Sequence, residues 1–199
     1  MAATDGKGPS FDALRARTER GDPEAAFQLA AYHGSGQAWQ SGIPKDEQIA
    51  AKYYKQACDG GHTEAAFNIA MCYHTGSGVE KSAEKALEHY RIAASKGHLE
   101  AQKALVTCFQ TGVGAGVDQA MAARYCRLAA EQGDSEMMNA TAERFMAGNG
   151  FTKDEDKAHH FYLMAEHAGH AGAKMHNESG QKSKFRLERP WGCSWNDAE

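Results

Sequence analysis

Apolar positions recur along the chain in steps of three and four, with polar or glycine breaks at regular distances, the pattern of amphipathic helices laid end to end. A glycine followed by a polar or histidine residue and an Ala-containing stretch stands at Gly21, Gly61, Gly97, Gly133 and Gly169, at spacings of 40, 36, 36 and 36 residues. Counted from that glycine, the fourth position holds Ala25, Ala65, Ala101 and Met137, and the eighth Leu29, Ile69, Leu105 and Thr141. The twelfth holds His33, Tyr73, Phe109 and Phe145. Steps of four place these on one stripe of a first helix. Asp22 ahead of Pro23 reads as an N-cap with proline at the first helical position; Asp134 repeats the cap, and His62, His98 and His170 fill the same slot.

The first helix stops at a glycine loop, Gly36, Gly76-Ser77-Gly78, Gly112-Val113-Gly114 and Gly148-Asn149-Gly150. An apolar residue (Ile43, Val79, Ala115, Phe151) and a cap (Asp46, Ser82, Asp118, Asp154) open a second helix. Eleven residues before the next glycine stand Ala50, Ala86, Ala122 and Ala158. Seven before stand Tyr54, Tyr90, Cys126 and Tyr162, and four before stand Ala57, Ala93, Ala129 and Ala165. Such a stripe lets helices approach closely around an aromatic ring. One hairpin cannot hide both faces, whereas a stack can.

This pattern resembles the Sel-1-like repeat, a relative of the tetratricopeptide repeat. The unit with Phe67-Asn68-Ile69-Ala70, Tyr73, Gly76-Ser77-Gly78-Val79, Lys85-Ala86, His89-Tyr90 and Ala93-Ala94 carries it best, and the resemblance spans residues 21–169. It implies an all-α fold, a right-handed α-solenoid of about four helix-turn-helix repeats of 36–40 residues. The expected organisation is a flexible N-terminus at 1–9, a capping helix at 10–20, repeats at 21–60, 61–96, 97–132 and 133–168, and a partial repeat at 169–177. An aromatic and basic tail, 178–199, follows. Unit four reads as degenerate, because Met137 and Thr141 replace small and aliphatic residues. The resemblance also implies an adaptor or scaffold for a multiprotein complex. Some relatives staple each repeat with a cysteine three residues before the glycine and another eight residues later; Cys58 fits the first place, but Ala66 fills the second.

Composition narrows the function. The 22 basic against 26 acidic side chains leave a net charge of −4, which makes nucleic acid a poor partner. No run approaches the roughly 20 apolar residues of a membrane span, and Met1 to Pro9 lacks the apolar core of a secretory signal. A cytoplasmic protein is expected, with the mitochondrion as the alternative. Five cysteines and no CxxC suggest reduced thiols, with Cys72 and Cys108 as small buried hydrophobes. His159, His160, His167, His170 and His176 lie close in sequence, yet His160 and His167 share register with residues expected on a solvated face. No GxSxG, P-loop or paired acidic cluster is present, so no enzyme activity, metal or cofactor is expected.

Protein partners are therefore expected at the surface of the first helices, which line the concave face in related repeats. The third, sixth, tenth and thirteenth positions supply Glu24 and Phe27, then Glu64, Phe67, Met71 and His74, then Glu100, Lys103 and Gln110, then Glu136, Asn139 and Glu143, with Phe27, Phe67, Met71, His74, Lys103, Gln110, Asn139 and Glu143 as the candidate contacts. Trp39, in the four-residue extension of unit one, and Phe185, Trp191 and Trp195 of the tail complete the set. Two alternatives stay open for Phe27 and Phe67 (ligand contact or packing between repeats), and for Trp39 (local packing or contact). The tail reads as a cap on the last hairpin, a partner-binding segment or disordered chain. The alternative functions are a permanent structural or assembly subunit of a larger complex, mitochondrial respiratory complexes included, and a thiol- or metal-dependent activity.

Overall fold

The computed structural model describes residues 10–35 and 45–173. After α1 (Phe11–Glu19) come four hairpins: α2 (Pro23–Ser35) with α3 (Glu47–Asp59), α4 (Thr63–Thr75) with α5 (Ala83–Ser95), α6 (Leu99–Thr111) with α7 (Gln119–Glu131), and α8 (Ser135–Ala147) with α9 (Glu155–His167). No strand occurs among the described residues. Each helix packs on the next, so the hairpins stack into an α-solenoid.

Local chemistry sets the helix ends. Asp46, Ser82, Asp118 and Asp154 each accept an amide from the first turn of the second helix of their hairpin, groups that have no partner inside a helix. The alanine stripe then closes the stack, with Ala57, Ala93, Ala129 and Ala165 all fully buried.

Within each hairpin the aromatic at the twelfth position stacks on a ring eight residues before the next glycine. The pairs are His33 on Tyr53, Tyr73 on His89, Phe109 on Tyr125 and Phe145 on Phe161, with interplanar angles of 19°, 6°, 3° and 15°. Offset stacks of this kind add to area burial.

The fourth hairpin keeps its packing by exchanging sizes. Where other second helices bring a tyrosine against alanine, α7 brings Cys126 and α8 brings Met137, with the two sulfurs 4.0 Å apart. Thr141, fully buried, donates its hydroxyl to the Met137 carbonyl at 2.7 Å. Large and small partners have traded sides, a volume-conserving change that cores tolerate. The unit is compensated where its sequence alone reads as degenerate.

Candidate functional site

Two rails couple each hairpin to the one before it and hold the first helices in register. The first runs through the N-caps. His62 Nδ1 accepts the Ala65 amide at 3.1 Å, which leaves the proton on Nε2, and Nε2–H donates to Glu24 Oε2 at 3.1 Å. His98 repeats the arrangement, with Nδ1 accepting from Ala101 at 3.2 Å and Nε2–H donating to Glu64 at 2.9 Å. Each imidazole also lies flat on the sixth-position ring of the preceding unit, Phe27 at 4.3 Å and Phe67 at 4.6 Å. In the next step the chemistry inverts: Asp134 caps α8 through the Met137 amide and receives Lys103 Nζ at 3.1 Å. Asp22 is tied in the same way to Arg17 of α1 at 2.7 Å.

Electrostatics follow these contacts. The Gln28 amide and then His62 hold the Glu24 carboxyl below its usual range. Burial pushes Asp134 up, but the Met137 amide and Lys103 outweigh it and hold it below its ordinary value. Asp134 in turn raises Lys103. A depressed carboxyl stabilises the fold above its unfolded value, about 3.9, and that contribution disappears as pH falls through the lower folded value. Asparagine keeps the cap but not the charge. Asp134→Asn is therefore expected to cost on the order of 1 kcal/mol at neutral pH, with the gap to wild type closing as acid titrates the carboxylate. Thermal unfolding from pH 7 to pH 2 checks this.

The second rail is steric. The second glycine of each described loop sits against the first residue of the preceding hairpin's second helix: Gly78 on the Glu47 carbonyl, Gly114 on that of Ala83 and Gly150 on that of Gln119.

The rails leave a row of first-helix side chains uncovered. Met71, His74, Gln110 and Glu143 are exposed, and Met146 joins them. The other sequence candidates lie beside this row. Phe27 and Phe67 are half-buried in the cap stacks, Lys103 is held by Asp134, and Asn139 donates to Glu143 at 2.8 Å. Trp39, Phe185, Trp191 and Trp195 lie outside the described residues. The cap pairs themselves escaped the sequence reading, although a signal was present: His62 and His98 follow a phenylalanine at the sixth position of the previous unit, and Asp134 follows a lysine, whereas His170 follows Asn139 and its Nδ1 has no partner among the described residues.

The four thiols among the described residues sit in surroundings that disfavour the thiolate. Cys58, Cys72, Cys108 and Cys126 are free, and burial pushes each thiol up from its ordinary value. Cys58 Sγ lies 3.7 Å from His89 Nδ1, but burial also lowers His89, so both partners favour their neutral forms. That state lacks the thiolate a nucleophile needs. Cys72 is half-buried and lines a cleft, which corrects its expected burial. His160 is half-buried too, with its imidazole held low by desolvation, so the expected solvated face is corrected there. Among the described residues no cluster of His, Cys, Asp and Glu is placed to hold a metal ion, and no helix is long and apolar enough to cross a membrane.

Hairpins built from 13-residue helices, each packed on the next and exposing one row of side chains, define an α-solenoid repeat protein. Sel1 repeats match residues 23–62, 63–98, 100–134 and 135–170. The chain belongs to the Sel1 repeat family, whose repeats generally mediate protein–protein interaction. It is similar to a protective antigen of uropathogenic Escherichia coli with an SLR fold, at 28% identity and a TM-score of 0.72 over 83% of this chain and 35% of the other. It is also similar to a Sel1 repeat protein from Oxalobacter formigenes, at 26% identity and a TM-score of 0.71 over 83% of this chain and 69% of that one. The chain thus spans about a third of the length of the E. coli antigen. No curated protein matches it.

Proposed function

We propose that this chain is a non-enzymatic interaction module, an adaptor or scaffold that holds protein or peptide partners on its first-helix face during assembly of a multiprotein complex. The observation that carries the reading is the exposed row of Met71, His74, Gln110, Glu143 and Met146 on helices locked in register by the cap and glycine rails. A surface fixed before binding loses little entropy on association. The neutral thiols and the family both favour binding over catalysis.

Affinity purification with mass spectrometry, at low and high salt, tests it. The triple variant His74→Ala, Gln110→Ala, Glu143→Ala alters exposed positions only, where substitutions usually move stability by less than about 0.5 kcal/mol. Recovery of partners is expected to fall about tenfold or more in that variant. Undiminished recovery rules out this face, and a fixed stoichiometric set that resists high salt makes the chain a permanent structural subunit instead.

A further inference from the structure

The first hairpin departs from the repeat at one place. In the second, Tyr90 leans on Phe67 with centroids 5.8 Å apart and planes tilted by 48°, and its hydroxyl donates to Met71 Sδ at 3.0 Å. In the first, Tyr54 leans on Phe27 with matching geometry, 5.9 Å and 52°. The residues in register with Met71 and His74 are Ala31 and Gly34, so the side chains that cover Tyr90 have no counterpart over Tyr54. Tyr90 is 2% exposed, while Tyr54 is half-buried. A Cβ placed on Gly34 would lie 3.6 Å from the Tyr54 hydroxyl oxygen, so α2 offers bare backbone at that point. Among the described residues the hydroxyl has no hydrogen-bond acceptor.

What remains is a cleft of about 240 Å³ between α2, α3 and α4, lined by Gly34, Ala50, Tyr54, Asn68, Met71 and Cys72 among others. Small-molecule sites begin at roughly 300 Å³, so this volume suits a single side chain. We propose that the cleft receives a methionine side chain from a protein partner, with the Tyr54 hydroxyl donating to the thioether sulfur as Tyr90 donates to Met71 one repeat further on. The assignment rests on the chain being an interaction module, and it names the chemistry of the partner at one place on it.

The second hairpin is the internal template, since it shows the same tyrosine satisfied by the same functional group. An unbranched thioether adapts to an irregular gap, and its sulfur accepts a hydrogen bond that leucine or norleucine cannot. Burial raises the Tyr54 phenol, which keeps it a donor. The rim carboxylate, Glu47, is paired with Lys45 at 2.8 Å, which blunts any attraction for a lysine side chain.

The test uses the full chain and short blocked peptides, Ac-Ala-Ala-Met-Ala-Ala-NH2 and its norleucine and lysine counterparts, titrated at millimolar concentration by NMR. The methionine peptide is expected to give saturable shifts at Gly34, Tyr54 and Cys72. The norleucine peptide binds about threefold to tenfold more weakly, the worth of one neutral hydrogen bond. Tyr54→Phe erases that difference, and Ala31→Met, which installs the side chain found over Tyr90, abolishes binding while circular dichroism is unchanged. Equal binding of methionine and norleucine, tightest binding of lysine, no saturable shift, or a methionine response that survives Ala31→Met each overturns the assignment. Self-association in sedimentation that Ala31→Met removes overturns it too, by placing a second copy in the cleft. Protein capture that persists while no methionine peptide binds removes the cleft alone and leaves the interaction module standing; a chain that captures no protein removes both.

Discussion

Replacing Gly114 by alanine is expected to cost about 2 to 5 kcal/mol, the sum of left-handed backbone strain and overpacking. Gly114 has φ +78°, where L side chains are strained, and a Cβ there would press into the backbone carbonyl of Ala83 at the start of α5. Backbone cannot rotate away as a flexible side chain can, so either the loop or the whole junction between hairpins two and three must shift. Stability in a solenoid is nearly a sum of repeat and nearest-neighbour terms. Weakening one junction should therefore split urea unfolding into two steps as well as lower the first midpoint. Gly116 is the internal control: its Cβ would meet nothing within 4 Å. Gly116→Ala should leave the curve within about 0.5 kcal/mol of wild type. Equal effects at the two glycines would mean that the loop does not seat on α5.

Tyr90→Ala is the second large effect, about 3 to 5 kcal/mol by analogy with buried aromatic truncations. The ring is 2% exposed, leans on Phe67 and lies 6.5 Å from the His74 ring, and its hydroxyl is bonded to Met71. Removing it leaves a cavity between helices whose backbones the alanine stripe already holds close, so little collapse is available to fill it. Tyr54→Ala removes the same side chain from the same register position, but one wall there is already open to the cleft. Its cost is expected to be about half as large, because less apolar surface returns to water. Urea titration of the two variants side by side gives the comparison. Equal losses would show that Tyr54 is as fully covered as Tyr90.

The pair shows where a repeat pattern informs and where it misleads. Tyr54 and Tyr90 are one residue type in one slot, and register predicts one environment for both. Their difference comes from α2, where Ala31 and Gly34 replace Met71 and His74, and it becomes a cleft only when α4 closes the third side. The ring stacks inside the hairpins were half visible: the twelfth-position aromatics stood out, while their partners Tyr53, His89, Tyr125 and Phe161 mix residue types and hide in the helix sequence. In the fourth hairpin, Met137 and Thr141 look like decay until Cys126 is seen opposite them.

The sequence by itself determined the repeat length, the helices and their ends, and through them the family. These depend on interactions within a few residues, such as caps, glycine turns and steps of three and four, whose partners lie next to one another in the chain. Tertiary structure alone decided that His62 reaches Glu24 and His98 reaches Glu64, that Lys103 answers Asp134, and that Tyr54 is left with an open side. Those contacts join residues of neighbouring repeats. Their lengths and angles depend on how far each hairpin turns relative to the last, a quantity set by the packing of alanines and loop glycines together and carried by no single position.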